Sequence, residues 1–471
     1  MTAQVSTRFL TRTAATWLSA GALFFTAQHA LANGRYPKAD QLLIAPDDPQ
    51  FLAVRTTFGV LVSGDSGQHW DWICERALGY SGIQDPTLGL MEGGTLIASL
   101  SEGIARSANQ GCNWSFSDAD LSGAPVIDLS VRRDAPNQAL ALVWDAQRIG
   151  YSSRILASDD NGRSFLPYGT AIDPTVLVTT LDTAPSNPHR VYASGTRSVD
   201  GVRSAWLFAT DDDGANWRQH PVPFEPKLEQ GVYIAAVDPQ DADTLYLRTS
   251  SATVSRLLVS HDGGQQFSVA YSGSLLAFSL SPDGKQLYFG GEGGLYAGLA
   301  SDLQFEKRAS LRVLCLATSA DSIYACSDEH SGFTVGASSD GGSTFEPLLH
   351  LKTVRGPLAC SASECDGDWP LVRAQLGIPL PSEADAGADA GDAAEDPRGD
   401  AGAEANADDA GSQGDASSTP EQPTSAAKRS SCAIGVSRAS SRPGLGSLLA
   451  FAVTALSRRR RSRARAHLPA K

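Results

Sequence analysis

Short apolar runs divided by Gly, Pro, Asn and Asp set the texture of the chain from about residue 40 to residue 350. "LLIAPDDP" (42–49), "FLAVRT" (51–56) and "GVLVS" (59–63) follow one another in quick succession. The same grammar returns in "LVTTLDTAPSNP" (177–188), "RVYASG" (190–195) and "AWLFAT" (205–210). It returns again in "VYIAAVDP" (232–239), "TLYLRT" (244–249) and "RLLVS" (256–260), and in "LAFSLSPDG" (276–284), "QLYFGG" (286–291) and "GLYAG" (294–298). The runs are rich in Val, Leu, Tyr and Thr, and no helical period interrupts them, so they read as short strands. Each unit predicts three strands, then a turn, then a fourth strand.

The turn before the fourth strand carries a repeated phrase. It reads "SGDSGQHW" (63–70), "SANQGCNW" (107–114), "SDDNGRSF" (158–165), "TDDDGANW" (210–217), "SHDGGQQF" (260–267) and "SSDGGSTF" (338–345). The shared form is Ser/Thr-x-Asp/Asn-x-Gly-x-x-Trp/Phe. Successive phrases lie about 37 to 52 residues apart once a worn copy, "SDLQF" (301–305), fills the one long gap. A fixed period in this range marks a solenoid, propeller or array. Seven units of four antiparallel strands predict an all-β fold, a seven-bladed β-propeller whose closed ring protects its sheet edges. In each phrase the carboxylate or amide (Asp65, Asn109, Asp160, Asp212, Asp262, Asp340) can accept turn N–H groups, and Gly supplies positive φ. The aromatic (Trp70, Trp114, Phe165, Trp217, Phe267, Phe345) then covers the hairpin. Replacing the Asp is expected to cost about 1–2 kcal/mol.

These residues resemble the Asp-box, or BNR, repeat of sialidases, sortilin-type receptors and photosystem-assembly-factor propellers. The resemblance covers roughly residues 38–355 and implies a sialidase-like propeller. Enzymes and pure binding proteins share the repeat, so it does not by itself imply an activity. A sialidase site implies an Arg-Ile-Pro element, three arginines for a substrate carboxylate, a Tyr–Glu pair and an Asp acid. The nearest counterpart here is "GRYPKA", with Arg35 and Pro37, which reads as ordinary chain close to a mature N-terminus. No elbow, P-loop, zinc or calcium motif is present, and no catalytic residue, metal or cofactor is expected.

The ends of the chain change the picture. Residues 1–32 read as a secretory signal peptide: Arg8 and Arg12, an apolar stretch, and "ALAN" with cleavage after Ala32. Residues 33–377 form the propeller domain, with "DGDWPLVRAQLG" (366–377) as a short closing helix. Residues 378–428, rich in Ala, Asp and Gly, cannot bury enough surface to fold and read as a disordered acidic linker. Residues 429–471 hold Cys432, a hydrophobic helix over 444–457 and an Arg-rich end. This tail resembles the MYXO-CTERM sorting signal, which implies processing near Cys432 and contact with the membrane and the export and sorting machinery. The net charge of −14 argues against nucleic acid as a partner.

Export makes disulfides the expected state of the other six cysteines: Cys74, Cys112, Cys315, Cys326, Cys360 and Cys365. Sequence neighbours suggest Cys74–Cys112, Cys315–Cys326 and Cys360–Cys365, although sequence does not fix connectivity. The longest loops on the face away from the repeated turns gather Arg148, Tyr151, Arg154, Arg197 and Arg203, the candidate ligand-binding residues. The reading is an exported, surface-displayed propeller that binds an extracellular glycan or protein. The alternative is a sialidase-like extracellular glycoside hydrolase.

Overall fold

The computed structural model describes residues 35–121, 124–145 and 152–380. The signal peptide, most of the linker and the tail with Cys432 lie outside the described residues, as do Arg148 and Tyr151.

Seven antiparallel sheets form a propeller, each built from strands consecutive in sequence. The first strands are Ala39–Ile44, Leu88–Leu90, Val126–Val131, Leu177–Ala184, Glu229–Val237, Ala277–Leu280 and Cys315–Thr318. They stand side by side around the axis. Blade 5 is representative: Glu229–Val237, Leu245–Ser251, Ser255–Ser260 and Ser268–Gly273 pair in order. Blade 3 departs from four strands. Asp118–Ala119 adds in parallel to the outer edge of its fourth strand, Ser164–Tyr168. The worn phrase does sit in a third-to-fourth strand hairpin, in blade 6, where Leu303 takes the positive φ.

The apolar side chains bury themselves between blades. One cluster joins Tyr192 and Leu207 of blade 4 to Val232, Leu247 and Leu258 of blade 5. Near the axis, polar side chains tie neighbouring first strands. Gln41 exchanges hydrogen bonds with the Leu88 backbone at 2.9 and 3.0 Å. Asp128 accepts the Leu181 N–H at 3.0 Å, and Thr180 Oγ1 accepts the Ile234 N–H at 3.0 Å. Gln41, Asp128 and Thr180 each follow a β-bulge, which turns the side chain toward the next blade.

The repeated turn has one geometry. In blade 3 the Ser158 hydroxyl donates to Asp160 at 2.9 Å and accepts the Gly162 N–H at 3.0 Å. Asp160 also accepts the Ser164 N–H and hydroxyl at 2.9 and 2.6 Å. The residue before the conserved-position glycine also has positive φ, as at Ser66, Gln110, Asn161 and Asp213. The glycine has a second duty. A Cβ on Gly264 of blade 5 would stand 2.2 Å from Leu207 of blade 4, and one on Gly342 of blade 7 would stand 2.5 Å from Leu295 of blade 6. Each turn therefore plugs into the preceding blade, and the motif joins blades as well as closing a hairpin.

Burial alone would raise the Asp65 carboxyl, but bonds from the His69 ring and N–H and from Ser63 outweigh it and bring the pKa down to about 2. Bonds from Asn216 and Thr210 bring Asp212 to about 2, and Asp160 is lowered too, its hydrogen bonds outweighing its burial. A depressed folded-state pKa gives stability that is present above the unfolded value near 4 and lost as pH falls toward 2. Asp160→Ala is expected to cost about 1–2 kcal/mol at pH 7 and to cost less as pH falls through that window. Urea unfolding of both proteins at pH 7 and pH 2.5 measures this. A cost that stays constant with pH would show that the carboxylate charge is not what holds the turn.

The structure corrects two of the three expected disulfides. The bridges are Cys74–Cys365, Cys112–Cys360 and Cys315–Cys326. Only the last joins sequence neighbours, across a hydrogen-bonded strand pair. The other two clamp a C-terminal strap that begins after blade 7. Within it lie the helices Ala362–Cys365 and Trp369–Gln375. The strap meets the outer edge of blade 1, where the Trp72 N–H donates to Gly356 O at 2.7 Å and the Leu358 N–H donates to Trp72 O at 2.8 Å. Three disulfides suit an oxidising compartment and support export. Among the described residues, no helix is long and apolar enough to cross a membrane.

Candidate functional site

The face opposite the repeated turns is made by the second-to-third strand hairpins and the connections between blades. Its longest hairpin strands among the described residues are those of blade 4, Asn187–Val199 paired with Val202–Thr210. Asp200 and Gly201 both take positive φ at its tip, which lets a two-residue turn match the strand twist. Val199 and Val202 beside the tip are 57% and 62% exposed. Leu228, on the connection to blade 5, and Val254, in the blade 5 hairpin turn, are 55% and 47% exposed. The rim of blades 4 and 5 thus presents apolar side chains to solvent on one face.

The arginines of this face hold the fold together. Arg197 pairs with Asp173, on the connection from blade 3, at 2.7 Å, and its guanidinium lies 4.7 Å from the Trp206 ring centre. Burial would raise the Asp173 carboxyl, but Thr175 and Arg197 hold it below the usual range. Arg203 donates to Gln230 O at 2.9 Å, and Arg154 to Asp120 O at 2.7 Å. Arg154, Arg197 and Arg203 therefore belong to successive joints around the rim and do not converge on one point. Arg256 repeats the device, with Glu229 at 2.7 Å and Pro223 O at 3.1 Å.

A second polar cluster, which the sequence reading did not single out, lies between blades 1 and 2. Arg35 grips both oxygens of Asp85 at 2.7 and 2.8 Å and also donates to Thr57 O. Arg55 donates to Asp85 O and Pro86 O at 3.2 Å each. Tyr80 and Glu75 share the neighbourhood. Arg35, read from the sequence as ordinary terminal chain, is locked in place, and its own carbonyl accepts from Gln375 of the strap at 2.8 Å. These residue types match those of a Tyr–Glu–Arg hydrolase site. Burial first, then the Glu75 and Asp85 charges, push the Tyr80 hydroxyl well above its ordinary pKa. Burial raises the Glu75 carboxyl as well. In sequence, the signal was an Arg35–Asp85 pairing across 50 residues, which no local pattern reveals.

No family model matches the chain, and no curated protein matches it. Among solved structures it is similar to an ancestral GH74 enzyme, at 12% identity over 67% of this chain and 46% of that one, with TM-score 0.48. It is similar to a puromycin-hydrolyzing peptidase of Mycobacterium tuberculosis, at 12% identity over 68% and 54%, with TM-score 0.45. It is also similar to a Hadza microbial sialidase, at 16% identity over 59% and 71%, with TM-score 0.34. The chain spans less than half the length of the GH74 enzyme. These three proteins differ in activity, and none of their activities transfers to this chain on such likeness.

Proposed function

We propose that the chain is an exported, surface-displayed propeller that binds an extracellular glycan or protein through the rim of blades 4 and 5. The observation that carries this reading is the contrast at that rim. Val199, Val202, Leu228 and Val254 stand in solvent, while Arg197 and Arg203 are engaged by Asp173, Trp206 and Gln230. A binding surface needs exposed apolar area beside polar groups. In this reading the acidic linker is the spacer, and the tail around Cys432 is the anchor or sorting signal that leaves the propeller at the cell surface.

The test pairs an array with an assay. Full-length protein and a Val199→Asp/Val202→Asp variant are applied to arrayed glycans and purified extracellular proteins. The wild type is expected to bind at least one arrayed class, and the variant to bind it at least tenfold more weakly with an unchanged unfolding midpoint. Turnover of a fluorogenic sialoside by the wild type, lost in Tyr80→Phe, would overturn the binding reading in favour of a hydrolase.

A further inference from the structure

The opposite face, where the repeated turns lie, holds a cleft of about 400 Å³ between blades 6 and 7. The turns between first and second strands border it. In blade 5, seven residues link the first strand, ending at Val237, to the second, starting at Leu245. That turn covers blade 4, where the Tyr192 hydroxyl donates to Ala242 O at 2.7 Å and the ring is fully buried. Tyr288 takes the place of Tyr192 in blade 6, each paired with an alanine of the third strand. In blade 7 only four residues link Thr318 to Ile323. Tyr288 is half-buried on the cleft wall.

The lining has a particular chemistry. Tyr288, Gln286, Asp321 and Ser339 border the cleft, and their side-chain polar atoms have no hydrogen-bond partner among the described residues. Asp283 and Ser319 complete the wall. The Ser281 hydroxyl donates to one oxygen of Asp283 at 2.7 Å and the Lys285 ammonium pairs with the other at 3.2 Å, and both hold the carboxyl below its usual range. At the joint of blades 4 and 5 the corresponding polar groups pair internally, as Arg190 does with Tyr192 and Asp243. Here they open onto solvent.

We propose that this cleft binds one or two residues of a neutral pyranose sugar. The Tyr288 ring offers an apolar surface to the C–H face of a pyranose. Asp283 and Asp321 accept sugar hydroxyls, and the Gln286 amide both donates and accepts. Asp283 is paired with Lys285, but the Asp321 carboxylate carries no such partner among the described residues and disfavours an anionic sugar. The volume falls within the roughly 300–1,000 Å³ of small-molecule sites. This site is independent of the blade 4 and 5 rim, so either can fail alone.

Isothermal titration of the full-length chain with cellobiose, and separately with N-acetylneuraminic acid, tests the proposal. Cellobiose is expected to bind saturably with a Kd on the order of 1 mM, and N-acetylneuraminic acid at least tenfold more weakly. Tyr288→Ala and Gln286→Ala are each expected to weaken cellobiose binding at least tenfold. Gln286 has no packed or bonded role for its amide, so its variant stays folded if Tyr288→Ala does not. The Val199→Asp/Val202→Asp variant is expected to bind cellobiose like the wild type. No saturation up to about 50 mM cellobiose, equal binding of the two sugars, or unchanged binding in Gln286→Ala would each overturn the proposal.

Discussion

Removing both strap disulfides, as Cys74→Ala/Cys365→Ala with Cys112→Ala/Cys360→Ala, is expected to destabilise the protein by somewhat more than twice the loss of either alone. The reason lies in how the ring closes. Blade 1 comes entirely from the start of the domain and blade 7 entirely from its end, with no strand exchanged between them. The strap does that work from outside. It pairs with the edge of blade 1, seats Trp369 5.6 Å from Trp72, and buries Leu351, Val354 and Leu376 in the core shared by blades 1, 2 and 7. The Arg355–Asp71 and Arg76–Asp368 ion pairs fasten it further.

Cys74–Cys365 spans 291 residues and Cys112–Cys360 spans 248. While one bridge stands, the other closes only the 38 residues from Cys74 to Cys112 plus the five from Cys360 to Cys365. By loop entropy that smaller closure contributes about 3–4 kcal/mol, and the last remaining bridge, closing a loop of the whole domain, about 5 kcal/mol. Denaturant unfolding of the two single-bridge variants and the double variant measures both steps. If the double variant loses no more than about 2 kcal/mol in all, the strap holds by its non-covalent contacts alone.

The repeated phrase made the architecture legible, because each copy states a turn whose neighbours must be a third and a fourth strand. Even the worn copy at Ser301–Phe305 marked its hairpin without the glycine, since the strand runs on either side still fixed the unit. What one copy does to the next blade was not legible. The contact of Gly264 with Leu207 depends on ring geometry, and local spacing carries no trace of it. The disulfides show the same limit. Neighbouring cysteines suggested Cys74–Cys112, but the strap folds back across the ring and brings Cys365 and Cys360 to them. The arginines were found as a group because long loops are visible in a sequence. Their partners, Asp173 for Arg197 and Gln230 O for Arg203, sit on other blades, so an apparent binding cluster became a series of joints. The cleft beside Tyr288 was missed because its walls come from turns of two blades, residues 281–288 and 318–323, which no local pattern brings together.

Trp70→Ala is expected to cost about 3–5 kcal/mol, while Trp114→Ala, the same change one blade on, costs markedly less. Both tryptophans end a copy of the phrase, and both Nε1 groups donate to the glycine carbonyl of their own turn at 3.0 Å. Trp70 does more. Its Nε1 also donates to Leu348 O of blade 7 at 3.0 Å, and its ring is 1% exposed in the core where the ends of the ring meet. Gly67 of the same turn presses on the Leu348 side chain. Removing the indole therefore leaves a cavity where the last blade meets the first, and strips a bond from the Leu348 carbonyl. Trp114 is only partly buried, and its turn joins two blades that are already covalently consecutive. Parallel urea titrations of the two variants, with disulfides intact, decide the matter. Equal losses would mean that the aromatic only covers its own hairpin and that the phrase plays no part in closing the ring.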